Sequence, residues 1–341
     1  MDYKRDICIL SQKDLMDAGC FDMNAAIAVC EQALTDYARG NVIFPDKVSV
    51  IFDQATQDRI NCLPAGFLNE KIYGMKWVSV FPGNPHERGL PNLSAVVLLS
   101  ELESGFPIAF MEATMCSNIR TAAMSALAAK YLANPESQVM GIIGAGEQAK
   151  SHFLAMKAQF PGLAVCRVSS RTLESEQTFI RQMSRFHPDV EFVPCGGEHA
   201  AAICGADILV TAISGQAKLL QAEWIKAGAT YFHVGGLEDD FAVPLKASKI
   251  VCDAWNVVKH RTQTISQMYQ QGLLQDSDIH ADLPEIVTGQ KSGRETPDEF
   301  IYYNGVGLSY VDVALSNWMY RTARDKGLGQ MITLQDKSMF D

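Results

Sequence analysis

The sequence predicts an α/β protein in which a doubly wound parallel sheet domain is inserted in an α+β domain. From residue 138 onward, short apolar runs alternate with helical stretches, a pattern typical of a parallel sheet covered on both faces. Before residue 138, strands and a helix follow one another without that alternation. The chain has 341 residues, and single cores stop growing beyond roughly 250–300 residues, so two domains are expected.

The first hundred residues contain one predicted helix and three predicted strands. The helix covers 22–37, where apolar residues recur at helical spacing before the stop signal Gly40. The second strand ends at a Pro-Gly-Asn-Pro turn, and the strands are predicted at 48–52, 72–81 and 94–99. This mixture is typical of an α+β domain.

The middle of the chain predicts the parallel sheet. Helices are expected up to about Gln159 and again from Leu173, and strands at 138–143, 164–168, 190–193, 206–213, 231–234 and 250–253. The segment 274–300 is polar and rich in turn residues, and 311–324 predicts a last helix that returns to the first domain. The predicted domains are therefore 1–118 plus 309–341, and 119–308.

Composition excludes several classes of protein. Apolar residues make up 48% of the chain, which excludes disorder, and the net charge of -10 argues against nucleic acid as a partner. The nine cysteines form no CxxC pair and no His stands at ligand spacing, so no metal site is predicted. The charged N-terminus and the absence of an 18-residue apolar run predict a cytoplasmic protein with no membrane segment.

A glycine-rich turn is the strongest local motif. It follows the buried strand 138–143, opens a helix and reads Gly144-Ala145-Gly146-Glu147-Gln148-Ala149. The first glycine permits a tight turn, and the second lets the backbone approach a pyrophosphate at the helix N-terminus. In this context the motif predicts a Rossmann-type dinucleotide site, although an ordinary strand-to-helix turn could carry the same letters.

The end of the next strand bears on the choice of cofactor. An NAD site would place an acidic residue there, but the sequence has Ser170, Arg171 and Thr172. The guanidinium of Arg171 can bind a 2′-phosphate, and the two hydroxyls can donate to it. NADP(H) is therefore the preferred cofactor and NAD(H) a possible one; the alternative is that Arg171 is a solvated residue at a helix start.

Arg120 is predicted to lie in the first turn of a helix capped by Ser117. The helix dipole disfavours a cation there unless an anion, such as a substrate carboxylate, binds the guanidinium as well. A pairing with Glu112 is the alternative.

Lys76 lies within the predicted strand 72–81, on one face with Val78 and Val80, and both faces of that strand are expected to be buried. A buried lysine has a lowered pKa that suits proton transfer at an amine or imine. The alternative is an edge-strand lysine whose head reaches solvent.

Two other positions and one loop carry weaker signals. Lys47 is either a second carboxylate-binding group or a loop lysine, and Asn61 alone says little. The loop Gly235-Gly236-Leu237-Glu238-Asp239-Asp240 follows a strand at the edge where open α/β sheets bind ligands, so one of its carboxylates is a candidate for contact with substrate. Three adjacent acids are also typical of a solvated run.

Taken together, these motifs resemble the ornithine cyclodeaminase and mu-crystallin family over almost the whole chain. Further matching text is Gly74-Met75-Lys76-Trp77, Pro107-Ile108-Ala109 with Met111-Glu112-Ala113, Ile119-Arg120-Thr121-Ala122-Ala123 and Asn304-Gly305-Val306-Gly307. Around Asn84-Pro85 and Ile286-Val287-Thr288-Gly289 the chain is most similar to the branch of N-(2-amino-2-carboxyethyl)-glutamate dehydrogenases. Residues 168–172 look more like the NADPH-using mu-crystallin and ketimine reductase branch.

The resemblance implies a homodimer, with residues 1–118 plus 309–341 as the substrate-binding and dimerisation domain and 119–308 as the Rossmann domain. It assigns Arg120 to the substrate carboxylate and Lys76 to catalysis, with Lys47 and Asn61 as further substrate-binding residues. The residues that it implies for the cofactor include Thr121, Ala212, Gly235 and Gly307. The cyclodeaminases have a catalytic Asp where this chain has Leu237, and Glu238 follows as the candidate catalytic acid.

These assignments predict an NAD(P)-dependent oxidoreductase that acts on the C–N bond of a small amino-acid substrate. The expected reaction is oxidation of an N-substituted amino acid, such as N-(2-amino-2-carboxyethyl)-glutamate, or reduction of the corresponding imine or ketimine. The alternatives are an ornithine or lysine cyclodeaminase that recycles bound NAD, and a non-catalytic mu-crystallin-like protein that binds NADPH and a ligand.

Overall fold

A computed structural model describes residues 5–53, 55–213 and 215–338. It divides the chain into two compact units, Met1–Arg120 with Ser309–Asp341, and Thr121–Leu308. The charged N-terminal stretch on which the cytoplasmic prediction partly rests lies largely outside the described residues, since these begin at Arg5.

The first unit is built on an eight-stranded, mostly antiparallel sheet. Its strands are β1 (Arg5–Leu10), β2 (Val42–Ile43), β3 (Val48–Asp53), β4 (Asp58–Phe67), β5 (Ile72–Val80), β6 (Leu93–Glu101), β7 (Pro107–Glu112) and β16 (Gln330–Gln335). Their order is β16-β1-β7-β6-β5-β4-β2, with β3 paired to β4, and only β1 and β7 run parallel. The helices that begin in this unit are α1 (Gln12–Asp17), α2 (Met23–Ala38), α3 (Asn84–Glu87), α4 (Thr114–Leu132) and α12 (Ser309–Asp325).

Helix α12 packs on one face of this sheet, against β4, β5 and β6, and α2 packs against α12. Asp22 caps α2 by accepting from the Ala25 amide at 3.1 Å, which explains where the predicted helix begins. Helix α12 packs closely on β5 because Gly74 has no side chain: a Cβ there would lie 3.2 Å from Val313 Cγ2 and 2.8 Å from Leu99 Cδ2. This close approach brings α12 beside Lys76, two residues further along β5.

The expectation that both faces of β5 are buried was wrong. Lys76 and Val78 point into the covered face and are buried. On the opposite face, Trp77 is 44% exposed and Met75 is half-buried. An apolar sequence on both sides of a strand therefore does not show that a single copy of the chain covers both sides.

One prediction around α4 was also wrong, and so was the partner named in the alternative for Arg120. The helix begins at Thr114 rather than after a Ser117 cap, so Arg120 lies well beyond the first turn and the argument from the helix dipole does not apply to it. Glu112 is not the partner of Arg120. Its carboxylate accepts from the backbone amides of Thr114 and Met115 and so caps α4.

The second unit contains an eight-stranded sheet in which every pair of neighbours is parallel. Its strands are β8 (Val139–Ile143), β9 (Val165–Ser169), β10 (Glu191–Pro194), β11 (Ile208–Thr211), β12 (Thr230–His233), β13 (Lys249–Cys252), β14 (Ala281–Asp282) and β15 (Ile301–Asn304). Its further helices are α5 (Glu147–Gln159), α6 (Leu173–Met183), α7 (His199–Ile203), α8 (Ala242–Lys246), α9 (Trp255–Val258), α10 (Thr264–Gln270) and α11 (Leu283–Val287), with 3-10 turns at Ala222–Trp224 and Asp276–Asp278.

The strand order β10-β9-β8-β11-β12-β15-β13-β14 confirms the predicted doubly wound, Rossmann-type sheet. The order reverses between β8 and β11, and ligands of such sheets bind outside the carboxyl ends of the strands at this reversal. The predicted polar segment 274–300 contains β14 and α11. Across the described ranges, we find no helix both long and apolar enough to cross a membrane.

Several strands were not predicted, for physical reasons visible in their sequences. Strand β4 carries Asp58, Arg59, Asn61 and Pro64, so it shows no regular alternation of apolar and polar residues. Strand β16 is exposed along its whole length, and β15 directly follows the segment 274–300, which is polar and rich in turn residues. These strands form because their neighbours provide hydrogen-bonding partners, which a local pattern does not reveal.

Candidate active site

In the first unit, three charged side chains from three different elements meet in the covered layer. Lys76 Nζ of β5 donates to Asp312 Oδ1 of α12 at 2.6 Å, and Arg120 Nε of α4 donates to the same oxygen at 2.9 Å. Lys76 also lies 3.4 Å from Ser117 Oγ. The side chains of Lys76 and Asp312 are 1% and 0% exposed and that of Arg120 is 12% exposed. We call Lys76, Arg120 and Asp312 the charged cluster.

The charged cluster has unused binding capacity. Among the residues that the structure describes, Arg120 has Asp312 Oδ1 as its only acceptor, so the fork of its two terminal nitrogens remains available. The cluster also carries two formal positive charges against one negative charge, all largely withdrawn from water. A single carboxylate that bound the fork would balance this charge and make two parallel hydrogen bonds.

Burial changes the protonation chemistry of this region. Burial lowers the pKa of the Lys76 ammonium from its ordinary value, the Asp312 carboxylate opposes that shift, and the Arg120 charge adds to it. Burial raises the pKa of the neighbouring Cys116 thiol to about 12, so Cys116 stays protonated near neutral pH. Burial therefore moves the pKa of Lys76 towards neutral pH and that of Cys116 away from it.

The other two predicted substrate-binding residues lie on β4 and before β3. Asn61 is paired in register with Val78, so its side chain lies on the Lys76 face of the sheet. It is buried, and its Oδ1 accepts no hydrogen bond from the described part of the chain. Lys47 is half-buried in the segment between β2 and β3, and its role remains a prediction.

Asp312 is a member of the cluster that the sequence analysis missed. It lies 236 positions from Lys76 and 192 from Arg120, so no local spacing joins the three. One signal was present: Asp312 is a lone carboxylate among apolar residues of the predicted helix, between Val311 and Val313. A charge at a buried position usually has a partner of opposite charge.

In the second unit, the glycine-rich turn joins β8 to α5. Gly144 has φ +117°, and a Cβ there would lie 2.4 Å from the carbonyl oxygen of Ala212, so only glycine fits. Gly146 is the N-cap of the 13-residue helix α5, no side chain caps that end, and a Cβ at Gly146 would meet nothing within 4 Å. The turn therefore leaves open space at a helix N-terminus, which fits a pyrophosphate.

The loop after β9 carries the residues predicted to select the cofactor. Arg171 and Thr172 are exposed, and Thr172 caps α6 by accepting from the Ser175 amide at 3.2 Å. The buried carboxylate of Glu176 holds this loop: it accepts from the amide of Ser170 at 2.8 Å and from those of Gly196 and Gly197 at 2.7 and 2.9 Å. The carboxylate of Glu176 is therefore already engaged by backbone amides.

Glu238 is fully buried and ties two loops together. Its Oε1 accepts from the Ile213 amide at 2.7 Å, and its Oε2 accepts from Thr211 Oγ1 at 2.7 Å and from the Gly235 amide at 2.9 Å. Both oxygens are therefore engaged within the second unit. This geometry matches a loop-holding carboxylate better than the acid–base residue predicted from its position after Leu237.

The two neighbouring acids also have protein partners. Asp239 is buried, and its Oδ1 accepts from Thr264 Oγ1 at 2.7 Å and from His233 Nδ1 at 2.8 Å. Although burial opposes the change, the Asp239 carboxylate raises the pKa of His233. Asp240 is partly exposed and lies 3.8 Å from Lys218. The run of three acids is thus not a uniformly solvated surface.

The remaining predicted cofactor residues lie on the turns around this edge. Ala212 and Gly235 follow β11 and β12, and Gly307 has φ +83° after β15. Asp253 Oδ2 accepts from the amides of Val306 and Gly307 at 2.9 and 2.8 Å and so shapes that last turn. Thr121 lies on α4 as the first residue of the second unit.

The fold and these two sites define a two-unit α/β protein with a Rossmann-type sheet. The sequence model of the family described as "Ornithine cyclodeaminase/mu-crystallin family" matches residues 7–327, so the chain belongs to this family. This confirms the resemblance inferred from the motifs.

Characterised relatives match over nearly the whole chain. The N-((2S)-2-amino-2-carboxyethyl)-L-glutamate dehydrogenase of Staphylococcus aureus is 28% identical, and the match covers 97% of this chain and 99% of the relative. The alanine dehydrogenase of Archaeoglobus fulgidus is 30% identical, with 95% and 97% covered. The structure is similar to that of Thermococcus litoralis Δ1-pyrroline-2-carboxylate reductase in complex with NADH and L-proline, with a TM-score of 0.90, 28% identity and 95% and 99% covered.

Proposed function

We propose that this protein is an NAD(P)-dependent oxidoreductase that acts on the C–N bond next to the carboxylate of an amino-acid substrate. The observation that carries the proposal is the charged cluster, in which a buried lysine lies beside an arginine with a free fork. The relatives described above are dehydrogenases of amino acids or a reductase of a cyclic imino acid. The reaction is either oxidation of an N-substituted amino acid or reduction of the corresponding imine.

Arg120 binds the substrate carboxylate in this proposal. Its terminal nitrogens provide two parallel donors, which match the two oxygens of a carboxylate. Its Nε bond to Asp312 fixes the plane of the guanidinium, so the fork is oriented before substrate arrives. The substrate carboxylate then balances the excess positive charge of the cluster.

Lys76 moves the proton. In the reductive direction its ammonium donates to the imine nitrogen, because a protonated imine carbon accepts hydride more readily than a neutral one. In the oxidative direction the neutral amine removes the proton from the substrate nitrogen. The lowered pKa of Lys76 brings the two protonation states closer in free energy, which suits a group that works in both directions.

A nicotinamide cofactor, when bound, would supply or accept the hydride. The cofactor is proposed to bind at the open N-terminus of α5 and along the turns after β8, β11, β12 and β15. The residues of these segments that would hold it are Gly144, Gly146, Ala212, Gly235 and Gly307. Glu238 keeps the turns after β11 and β12 together and takes no proton in this scheme, because both of its oxygens already accept hydrogen bonds.

NADP(H) is the proposed cofactor, because Arg171 is exposed at the end of β9 and Glu176 is withdrawn into backbone hydrogen bonds. Changing Arg171 to Ala is expected to weaken NADPH binding at least tenfold, about 1.4 kcal/mol, and to leave NADH binding unchanged. Quenching of Trp fluorescence during titration with each cofactor measures both affinities. The exposed Arg181 of α6 is the matched control, and tighter binding of NADH than of NADPH by the wild type would contradict this assignment.

The substrate is proposed to lack a cationic side chain of the ornithine type. The buried amide of Asn61 on the Lys76 face carries no charge to pair with a second ammonium group, and its Oδ1 is available to an N–H donor. Leu237 occupies the position of the cyclodeaminase acid. Simple cyclic imino acids, which have no second amine, meet this condition. N-(2-amino-2-carboxyethyl)-glutamate also remains a candidate, because its second ammonium group stands on the same carbon as a carboxylate of its own and needs no acid from the protein.

A homodimer is also proposed. The outer face of the first unit's sheet has an apolar cavity of about 350 Å³ lined by Met75, Trp77, Val96, Leu98 and Phe110. Large exposed apolar patches mark interaction surfaces, and a similar structure, 29% identical with a TM-score of 0.88, is described as an archaeal alanine dehydrogenase dimer with bound NAD. Light scattering of the native protein measures its mass, and a monomer would contradict the proposal.

The decisive experiment is a turnover assay of the wild-type protein. L-Alanine, L-proline and N-(2-amino-2-carboxyethyl)-glutamate are offered with NADP⁺ or NAD⁺, and Δ1-pyrroline-2-carboxylate is offered with the reduced cofactors. We expect one reduced or oxidised cofactor to appear for each substrate consumed. Oxidation of the glutamate derivative should yield an imine that water cleaves to 2-oxoglutarate and 2,3-diaminopropionate.

Two results would contradict the proposed reaction. Release of ammonia from ornithine or lysine without net change in cofactor would show a cyclodeaminase. Binding of NADPH without turnover of any member of the panel would show a binding protein.

A further inference from the structure

We propose that Asp312 is a positioning residue that controls the protonation and the orientation of Lys76 and also orients Arg120. It does so through one carboxylate oxygen that accepts hydrogen bonds from both cations. This inference rests on the proposed function, since it assigns Asp312 a part in the reaction that Lys76 and Arg120 carry out. Asp312 does not itself touch the reacting atoms in this scheme. Its effect passes through the two residues that it holds.

The bonding of the carboxylate is the first support. Oδ1 accepts from Lys76 Nζ at 2.6 Å and from Arg120 Nε at 2.9 Å, whereas Oδ2 is buried with no hydrogen-bond partner among the described residues. A carboxylate that served stability alone would gain more by dividing the two cations between its two oxygens. Because both cations bind the same oxygen, Oδ1 instead holds the Lys76 ammonium and the Arg120 guanidinium next to each other.

The choice of Nε is the second support. A carboxylate that took the terminal nitrogens of Arg120 would fill the fork that a substrate carboxylate needs. Asp312 binds at Nε and so leaves both terminal nitrogens available. Asp312 thereby anchors the guanidinium without competing for its ligand-binding edge, which is what preorganised binding requires.

The third support is the surroundings of Lys76. The ionisable groups around it are Asp312 of α12, Arg120 and Cys116 of α4, and Cys30 of α2 beyond them. Burial raises the pKa of both thiols, so neither carries a charge near neutral pH. Asp312 is consequently the only negative charge among these groups, and both burial and Arg120 act against the Lys76 ammonium. Without Asp312, only the smaller influence of Cys116 would favour the protonated form of Lys76.

The test is Asp312→Asn, which keeps the size of the side chain and removes its charge. We expect the pH limb of kcat/KM that reports Lys76 to move to lower pH by about one unit or more, since an adjacent opposite charge typically shifts a pKa by 1–3 units. The sign is the same in both directions of reaction. In reduction, activity is lost at lower pH than in the wild type; in oxidation, activity is gained at lower pH. We also expect KM for the carboxylate substrate to rise at least tenfold.

A second measurement is independent of turnover. The ε-carbon resonance of ¹³C-labelled lysine reports the protonation of Lys76 directly, and Lys76→Met identifies the signal. A lower Lys76 pKa in Asp312→Asn than in the wild type supports the inference, even if the wild type shows no turnover and the proposed function fails. An unchanged Lys76 pKa overturns it while leaving the proposed function in place.

Two controls separate positioning from stability. Asp325→Asn removes an exposed carboxylate from the same helix and should leave the pH profile and the lysine resonance unchanged. Asp312→Glu restores the charge and should return the pH limb towards its wild-type position. If Asp312→Asn lowers activity by the same factor at every pH and the melting temperature falls with it, Asp312 is only a structural residue and the inference is wrong.

Discussion

Replacement of Lys76 by Met is expected to lower kcat at least a thousandfold while leaving the protein as stable as the wild type or more so. The loss follows because the proposed reaction has no other group to move the proton at the substrate nitrogen, and general acid–base catalysis contributes typically 10²–10⁴-fold. Stability is preserved because the charged cluster has one cation in excess, and Met leaves Arg120 and Asp312 as a balanced pair. The measurements are steady-state kinetics and thermal unfolding of the same preparations.

The pH dependence of the free energy of unfolding provides a second test of the Lys76→Met prediction. The folded-state pKa of Lys76 lies below its ordinary value, so the wild type bears the full cost of a buried ammonium at pH values below that folded pKa. That cost fades as the pH rises towards about 10.4, the ordinary lysine value. Lys76→Met lacks this dependence, and its stability advantage should therefore shrink as the pH rises.

The matched control is Lys13→Met, since the Lys13 side chain is 81% exposed and pairs with Asp17 on the surface. It should change neither kcat nor the melting temperature measurably. Retention of a tenth or more of wild-type kcat by Lys76→Met would show that Lys76 is not the proton-transfer group. The acids of the loop 235–240 would then be the next candidates for the proton-transfer group.

Replacement of Arg120 by Met is expected to lower kcat/KM by two to three orders of magnitude, mainly through a higher KM. Truncating one partner of a buried, hydrogen-bonded charge pair costs roughly 2–5 kcal/mol. In this variant the substrate carboxylate loses its partner, the Arg120 guanidinium. Arg120→Lys should recover little, because an ammonium cannot reproduce the two parallel donors of the fork. NADPH affinity, measured by Trp fluorescence, should not change, because the proposed cofactor residues belong to the second unit.

Arg321→Met is the matched control for this prediction. Arg321 also belongs to the first unit, and its side chain is 59% exposed near Glu70. Its removal should leave KM and kcat unchanged. Equal KM values for Arg120→Met and the wild type would show that the substrate carboxylate binds elsewhere, with Lys47 as the next candidate.

Much of the second unit could be predicted from sequence because its signals are local. A buried strand followed by Gly144-Ala145-Gly146 and a helix specifies a turn whose geometry only glycine permits, since a Cβ at Gly144 would lie 2.4 Å from a backbone oxygen. Strands alternating with helices likewise specify a parallel sheet, because the crossovers leave few other topologies. The placement of Arg171 at the end of β9 follows from the same alternation.

The errors arose where the environment of a residue depends on distant parts of the chain. Arg120 was assigned to a first helical turn with Glu112 as a possible partner, but Glu112 caps a helix that begins at Thr114. Trp77 was assigned to a buried face, but no other segment of the described chain covers it fully. Glu238 was correctly noted beside a glycine pair, yet two of its three hydrogen bonds come from Thr211 and Ile213, at and after the end of β11.

The sequence by itself determined the family, the class of fold and two of the three residues of the charged cluster, because motifs and periodicity depend only on residues that are close together in the chain. Only the tertiary structure decided that Asp312 joins Lys76 and Arg120, since these residues lie 236 and 192 positions from Asp312 and meet through the packing of α12 on β5 at Gly74. Side-chain protonation and the orientation of a guanidinium depend on such non-local contacts. The chemistry proposed for this protein therefore follows from the packing as much as from the motifs.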